Sequence, residues 1–187
     1  MKIKDWEKFN ESVEGEQLEL DFGEEYRSIN TDLADEIING EDQNALLKNK
    51  DKILNDNKFL RYLMDNGLIT SSKWRLGILY RLIAKENKIE SLKVLVNEYG
   101  DTVRSRTTGR DNILKYAAEY GNFEMVEFLL NSRKFGDEDI VTALNWLNFS
   151  KKIDKKADSD MKNLLKSKSH ADIKEYRRSD GMISYKI

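Results

Sequence analysis

Residues 80–96 read Y-R-L-I-A-K-E-N-K-I-E-S-L-K-V-L-V, and residues 114–130 read L-K-Y-A-A-E-Y-G-N-F-E-M-V-E-F-L-L. Superposed at a shift of 34, Ala84 falls on Ala118, Ile89 on Phe123, Glu90 on Glu124, Leu92 on Val126, Leu95 on Leu129 and Val96 on Leu130. Self-similarity at this period predicts stacked helical pairs, each burying against its neighbour a face it cannot bury alone. Arrays of that kind are chiefly surfaces for binding other macromolecules.

Working outward, the punctuation is helical. Thr31 is placed to cap a helix carrying Leu33, Ile37 and Ile38 and ended by Gly40. Ala45, Leu46, Leu47, Ile53 and Leu54 supply another, and Asn57 is placed to cap residues 58–66 ahead of Gly67. Helical pairs are expected at 72–86 with 88–99, and at 111–120 with 122–132, Gly100 and Gly121 acting as stop and turn. Residues 137–147 and 159–166 form a less regular third pair, and a last short helix is expected at 171–178. Residues 181–187 alternate enough for a strand or a docked tail. Fainter echoes occur at 60–67 (shift 32) and 161–165 (shift 35), as expected of atypical terminal units. The resulting expectation is an all-α chain: an acidic arm at 1–30, helical repeats at 31–167 and a basic tail at 168–187.

Residues 109–130, G-R-D-N-I-L-K-Y-A-A-E-Y-G-N-F-E-M-V-E-F-L-L, resemble an ankyrin repeat. Leu114 stands at that family's characteristic leucine, Ala117 and Ala118 at its alanine pair, and Gly121 at its inter-helix glycine. Val126, Leu129 and Leu130 stand at its second-helix core. Small alanines let a helix lie close to its neighbours, and glycine permits a left-handed turn. The chain departs from the family where Asn112-Ile113-Leu114-Lys115 replaces Thr-Pro-Leu-His, losing the side-chain bonds that stiffen the first turn. In the preceding unit Ile83 and Asn87 replace an alanine and the glycine. The resemblance implies a scaffold that binds a protein partner without catalysis.

Bulk composition narrows the remaining classes. The 187 residues are 39% hydrophobic and 35% charged, with neither cysteine nor proline. Disulfides and thiolate metal sites are excluded. No apolar run is long enough to span a bilayer, and the first residues lack the apolar core of a secretory signal, so a cytoplasmic location is expected. Abundant Lys, Asn and Ile point to an AT-rich bacterial, phage or viral source. The ends differ in charge: residues 1–50 hold six Lys/Arg against fourteen Asp/Glu, and residues 151–187 hold eleven against six. Either the two ends have separate partners or they screen each other.

Candidate sites follow from these patterns. Residues 101–110 fall where ankyrin-like proteins project a loop, and carry Arg104, Arg106 and Arg110. Guanidinium forks suit an acidic partner or a nucleic-acid backbone; the alternative is a solvated loop pairing with the acidic half. Gln17-Leu18-Glu19-Leu20-Asp21-Phe22 resembles the peptide by which bacterial proteins dock onto the DNA-polymerase sliding clamp. Gln17, Leu18, Leu20 and Phe22 would make the contact; alternatively the apolar three alternate onto the body. The interleaved acids of the basic tail disfavour nucleic acid. His170 is the sole histidine, so no histidine metal cluster exists, and no cofactor is expected. Asp172 with Lys174, and Asp158 or Asp160 upstream, only faintly match a metal nuclease. Trp74, Tyr80 and Trp146 read as core. A protein-recognition role is the leading expectation; a structural component of a phage or bacterial assembly and a small nuclease are the alternatives.

Overall fold

The computed structural model describes residues 29–40, 42, 44–68, 73–106, 112–132, 135–150 and 154–187, with backbone alone for 73, 74 and 101–106. Ten α-helices and a two-stranded sheet occur among these residues. The helices are α1 (Thr31–Asn39), α2 (Ala45–Lys48), α3 (Lys50–Asn55), α4 (Asn57–Leu63), α5 (Lys73–Lys85), α6 (Ile89–Arg106), α7 (Ile113–Glu119), α8 (Phe123–Ser132), α9 (Asp137–Leu147) and α10 (Lys155–Ser167). A π turn, Met64–Leu68, follows α4. Strands β1 (Lys174–Arg177) and β2 (Ile183–Lys186) form an antiparallel hairpin. The chain is therefore mostly helical, and the all-α expectation is corrected by the hairpin. No helix among the described residues is long and apolar enough to cross a membrane.

Caps set the helix boundaries. Asn30, and not Thr31, caps α1: its Oδ1 accepts from the Leu33 N–H at 3.0 Å. Asp56, and not Asn57, caps α4, accepting from Lys58 and Phe59 at 3.1 and 3.0 Å. In both cases the cap is the residue still in extended backbone, which aims its side chain at the first free N–H groups. Gly40 closes α1, where a Cβ would meet the Glu36 carbonyl oxygen at 2.3 Å. The Arg75 guanidinium then donates to the Ile38 and Gly40 carbonyls, satisfying acceptors that the helix end leaves free. The single helix expected over 45–54 is two, α2 and α3, divided at Asn49.

Two rows organise the middle of the chain. α5 lies against α2 and α7, and α7 against α9; in the second row α6 lies against α4 and α8, and α8 against α10. The turns joining α5 to α6 and α7 to α8 share one geometry. Lys88 N–H donates to Ile83 O (2.9 Å) and Asn122 N–H to Ala117 O (3.0 Å). Asn87 N–H donates to Ala84 O (3.3 Å) and Gly121 N–H to Ala118 O (3.0 Å). These are paired Schellman bonds, and they need a left-handed residue: Asn87 has φ 52° and Gly121 φ 72°. The apolar stripes Leu79–Ile83–Ala84, Leu92–Leu95, Leu114–Ala117–Ala118, Met125–Val126–Leu129 and Ile140–Ala143–Leu144–Leu147 are buried between the rows as one core.

Two further expectations are corrected. Gly100 does not stop α6, which runs on to Arg106. Val96, Tyr99 and Val103 keep helical spacing through the glycine, which costs a helix interior only about 1 kcal/mol. The Tyr99 hydroxyl also fastens this stretch to the π turn, donating to Asp65 at 2.8 Å. The helix expected at 171–178 is strand β1. That segment offers a helix little apolar face beyond Ile173 and Tyr176, too little to hold one turn pair in water. As a strand, it pairs with β2 through a turn closed by Arg178 N–H to Met182 O (2.8 Å) and Gly181 N–H to Arg178 O (3.0 Å).

Candidate recognition surface

The sequence-predicted contact residues fall mostly outside the described residues: Gln17, Leu18, Leu20, Phe22 and Arg110 all do. The backbone places Arg104 and Arg106 in the last turn of α6 and not on a projecting loop. Asp172 and Lys174 are exposed at the hairpin. No three carboxylate or histidine side chains converge on a metal-sized site among the described residues.

What the fold does bring together is a run of aromatic and cationic side chains along the first row. It begins on α7. Asn112 caps that helix, accepting from the Lys115 N–H at 2.6 Å, and its Nδ2 donates to Asp139 at 2.9 Å, tying α7 to the first turn of α9. Asn112 thus supplies a side-chain bond to the first turn of α7. With Ile113, Leu114, Ala117 and Ala118 turned into the core, Tyr116 and Tyr120 stand half-buried off that stripe.

Lys115 is only 5% exposed. Its Nζ lies 4.3 Å from the Tyr116 ring centroid and 4.4 Å from that of Trp146, so two π faces bracket the ammonium. Such contacts offset part of the cost of desolvating the charge. Trp146, on α9, is 37% exposed, and Phe149 just beyond the helix is 50% exposed with its ring centroid 5.6 Å from the indole. At the other end, Arg81 of α5 donates through Nε to the Tyr120 hydroxyl at 3.0 Å. The series Arg81, Tyr120, Tyr116, Lys115, Trp146, Phe149 therefore spans α5, α7 and α9.

Trp146 corrects the core reading, whereas Tyr80 is fully buried as expected; the Trp74 side chain lies outside the described residues. The signal for Trp146 was present. The buried stripe of α9 runs 140, 143, 144, 147, and position 146 falls off it.

The other flank of α9 holds the hairpin. Asn145 Nδ2 donates to Tyr185 O (3.0 Å) and Asn145 Oδ1 accepts from Tyr185 N–H (2.8 Å). Asn148 Nδ2 donates to Ile183 O at 2.8 Å. Two side-chain amides one helical turn apart thus stand in for a neighbouring strand along β2. Tyr185 is buried there, and that burial, with the Glu175 carboxylate beside it, pushes its phenol up to about 12.

Asp137, Ser169 and His170 also meet, but in an order unsuited to nucleophilic catalysis. The Ser169 hydroxyl donates directly to Asp137 Oδ1 (2.7 Å), and it is the His170 backbone N–H that donates to the same oxygen (2.8 Å). No imidazole stands between hydroxyl and carboxylate, as proton removal from serine would need. These bonds hold the Asp137 carboxyl below the usual carboxylate range, the hydroxyl contributing most. They fasten the α10 exit to the start of α9. A shallow cleft of about 500 Å³ beside them is lined by Leu130, Phe135, Ile140, Lys168 and His170.

Compared with known proteins, the chain matches no family model, no curated protein and no solved structure.

Proposed function

We propose that this chain is a non-enzymatic recognition protein, built as a short ankyrin-like stack, that grips a protein partner along its first row of helices. The single observation carrying this reading is the Arg81–Phe149 series. It joins tryptophan, tyrosine and arginine, the residue types that dominate binding energy at protein interfaces, across three successive first-row helices. Support for the stack comes from the two rows, from turns of one geometry 34 residues apart, and from the side-chain hydrogen bonds that cross between neighbouring units. The Lys115 bracket supports a preformed surface, because a side chain held between two rings presents them at fixed spacing and little is lost on ordering them.

The test is site-specific photocrosslinking in the source cells, with a photoreactive phenylalanine at Phe149 or, as control, at exposed Glu127 on α8. A discrete adduct from position 149 that is absent at 127, and that disappears when Trp146→Ser is added, is the expected result. Adducts equally distributed between the two positions, or unaffected by Trp146→Ser, defeat the reading.

A further inference from the structure

Strand β1 offers an edge whose chemistry fits a second copy of itself. In an antiparallel pair, alternate residues turn their backbone N–H and C=O toward the partner strand and the rest turn theirs away. The bond from Arg178 N–H to Met182 O fixes that alternation in this hairpin. Tyr176 with Ser184 and Lys174 with Lys186 face inward, whereas Glu175 with Tyr185 and Arg177 with Ile183 turn their backbone groups outward. On the β2 side both outward groups of Tyr185 are taken by Asn145 and the Ile183 carbonyl by Asn148. On the β1 side, the backbone groups of Glu175 and Arg177 have no partner among the described residues, and all four β1 residues are exposed. The two edges of one hairpin are therefore treated differently: one is covered by a helix and the other is left open.

We propose that β1 pairs antiparallel with β1 of a second copy about a two-fold axis, making a four-stranded sheet across two molecules. A two-fold interface must be self-complementary, and the outward backbone groups allow a register that is. Glu175 lies opposite Arg177 of the second copy, and Arg177 opposite Glu175, each pair exchanging its backbone N–H and C=O in both directions. Tyr176 then meets Tyr176 on the axis, at the closer spacing of a non-hydrogen-bonded pair. Opposite charges and aromatic pairs directly across strands stabilise such pairings. Among the described residues Arg177 has no ion-pair partner in its own chain, so the second copy supplies one. Tyr176 is 43% exposed, with Lys186 Nζ 5.4 Å from its ring centroid, and has an apolar face to bury. Lys174 falls opposite Arg178, whose guanidinium is already paired with Asp180 at 3.2 Å. An edge of four residues is small, so the association is weak and concentration-dependent.

Sedimentation velocity of the full chain, up to about 1 mM, tests the proposal. Wild type should show a monomer–dimer equilibrium. Arg177→Pro removes an outward N–H without touching the β1–β2 ladder, and should weaken the dimer at least about tenfold while melting temperature and circular dichroism stay unchanged. Arg177→Glu and Glu175→Arg each place like charges opposite each other and should each be monomeric. Mixed one to one, they restore both opposite-charge pairs and should form the mixed dimer, a result that misfolded variants cannot give. A wild type monomeric throughout, a dimer indifferent to Arg177→Pro, or a mixture that stays monomeric each overturns the proposal.

Discussion

The α5–α6 and α7–α8 pairs close on the same two backbone bonds but fill the geometry with different residues. Where α7 carries Ala117 beside Ala118, α5 carries Ile83 beside Ala84, and all four are fully buried. Where α7–α8 turns on Gly121, α5–α6 turns on Asn87. The difference fits the neighbours. α7 is flanked by the thirteen residues of α5 and the eleven of α9, whereas the far side of α5 meets α2, only four residues long. A helix with a full-length neighbour on each side needs small residues for close approach; one with a short neighbour has volume to fill.

Exchanging the residues breaks this comparison most sharply. Ile83→Ala should cost about 2–5 kcal/mol by leaving a cavity, and Ala117→Ile about 1–3 kcal/mol by overpacking, both read from urea unfolding midpoints. If Ala117→Ile were neutral, α7 would have room to spare and the crowding argument would fail. The turns come next. Gly121→Ala should cost about 1–2 kcal/mol, because a Cβ is strained at a left-handed residue. Gly121→Asn, copying the sister turn, should cost less than Gly121→Ala, since asparagine tolerates that conformation. Thermal unfolding of the two variants side by side decides it.

A smaller effect separates the residues that follow the turns. Lys88 and Asn122 are equivalent at the 34-residue shift, and each reaches back to the preceding unit. Lys88 Nζ donates to Asn55 Oδ1 at 2.6 Å in an exposed setting, while Asn122 Nδ2 donates to the Ala84 carbonyl in a partly buried one. Asn122→Ala should cost about 0.5–1.5 kcal/mol, and Lys88→Ala less, by the same urea measurement.

The smallest difference lies in the second row. α4 and α6 share a two-pronged pair, Arg61 Nε and Nη2 to the Glu98 carboxylate at 2.7 and 2.8 Å, whereas Ser132 stands in α8 where Glu98 stands in α6. A double-mutant cycle on Arg61 and Glu98 should give about 0.2–1 kcal/mol at neutral pH. Arg61 holds the Glu98 carboxyl below its usual value of 4.5. A lowered folded-state value means that the contribution is complete above the unfolded value and fades as pH falls through the folded one. The coupling should therefore persist at pH 6 and vanish in strong acid; a coupling unchanged in acid would show that charge is not its source.

The helical pairs were legible because their signals are local. Apolar spacing, a left-handed residue and a following polar cap lie within a few residues of one another, so 80–96 and 114–130 announce themselves. The hairpin was legible only in part: 181–187 were read as a strand or a docked tail, whereas β1 was read as a helix. Strands of four residues carry little periodicity, and the support that makes 183–186 a strand comes from Asn145 and Asn148, some forty positions earlier. The proposed recognition surface was not legible. A protein-recognition role was expected, but its contacts were placed at 17–22 and 104–110, and Trp146 read as core because tryptophan usually is. Its displacement from the 140–143–144–147 stripe was visible within residues 137–147, the span already read as a helix, but the residue type outweighed the position. Arg104 and Arg106 were assigned to a loop because Gly100 was taken as a stop, and a glycine inside a long helix gives the same letter as one that ends it.

The side-chain hydrogen bonds between separate helices, and from α9 to β2, join described residues 27 to 40 positions apart along the chain. Closing a loop of that size costs little more than closing one half as long, and none of these links has to wait for a distant stretch to be made. A chain so wired is suited to folding during synthesis. Once two adjoining helical pairs have left the ribosome they already hold each other's partners, and each later pair adds to a finished edge.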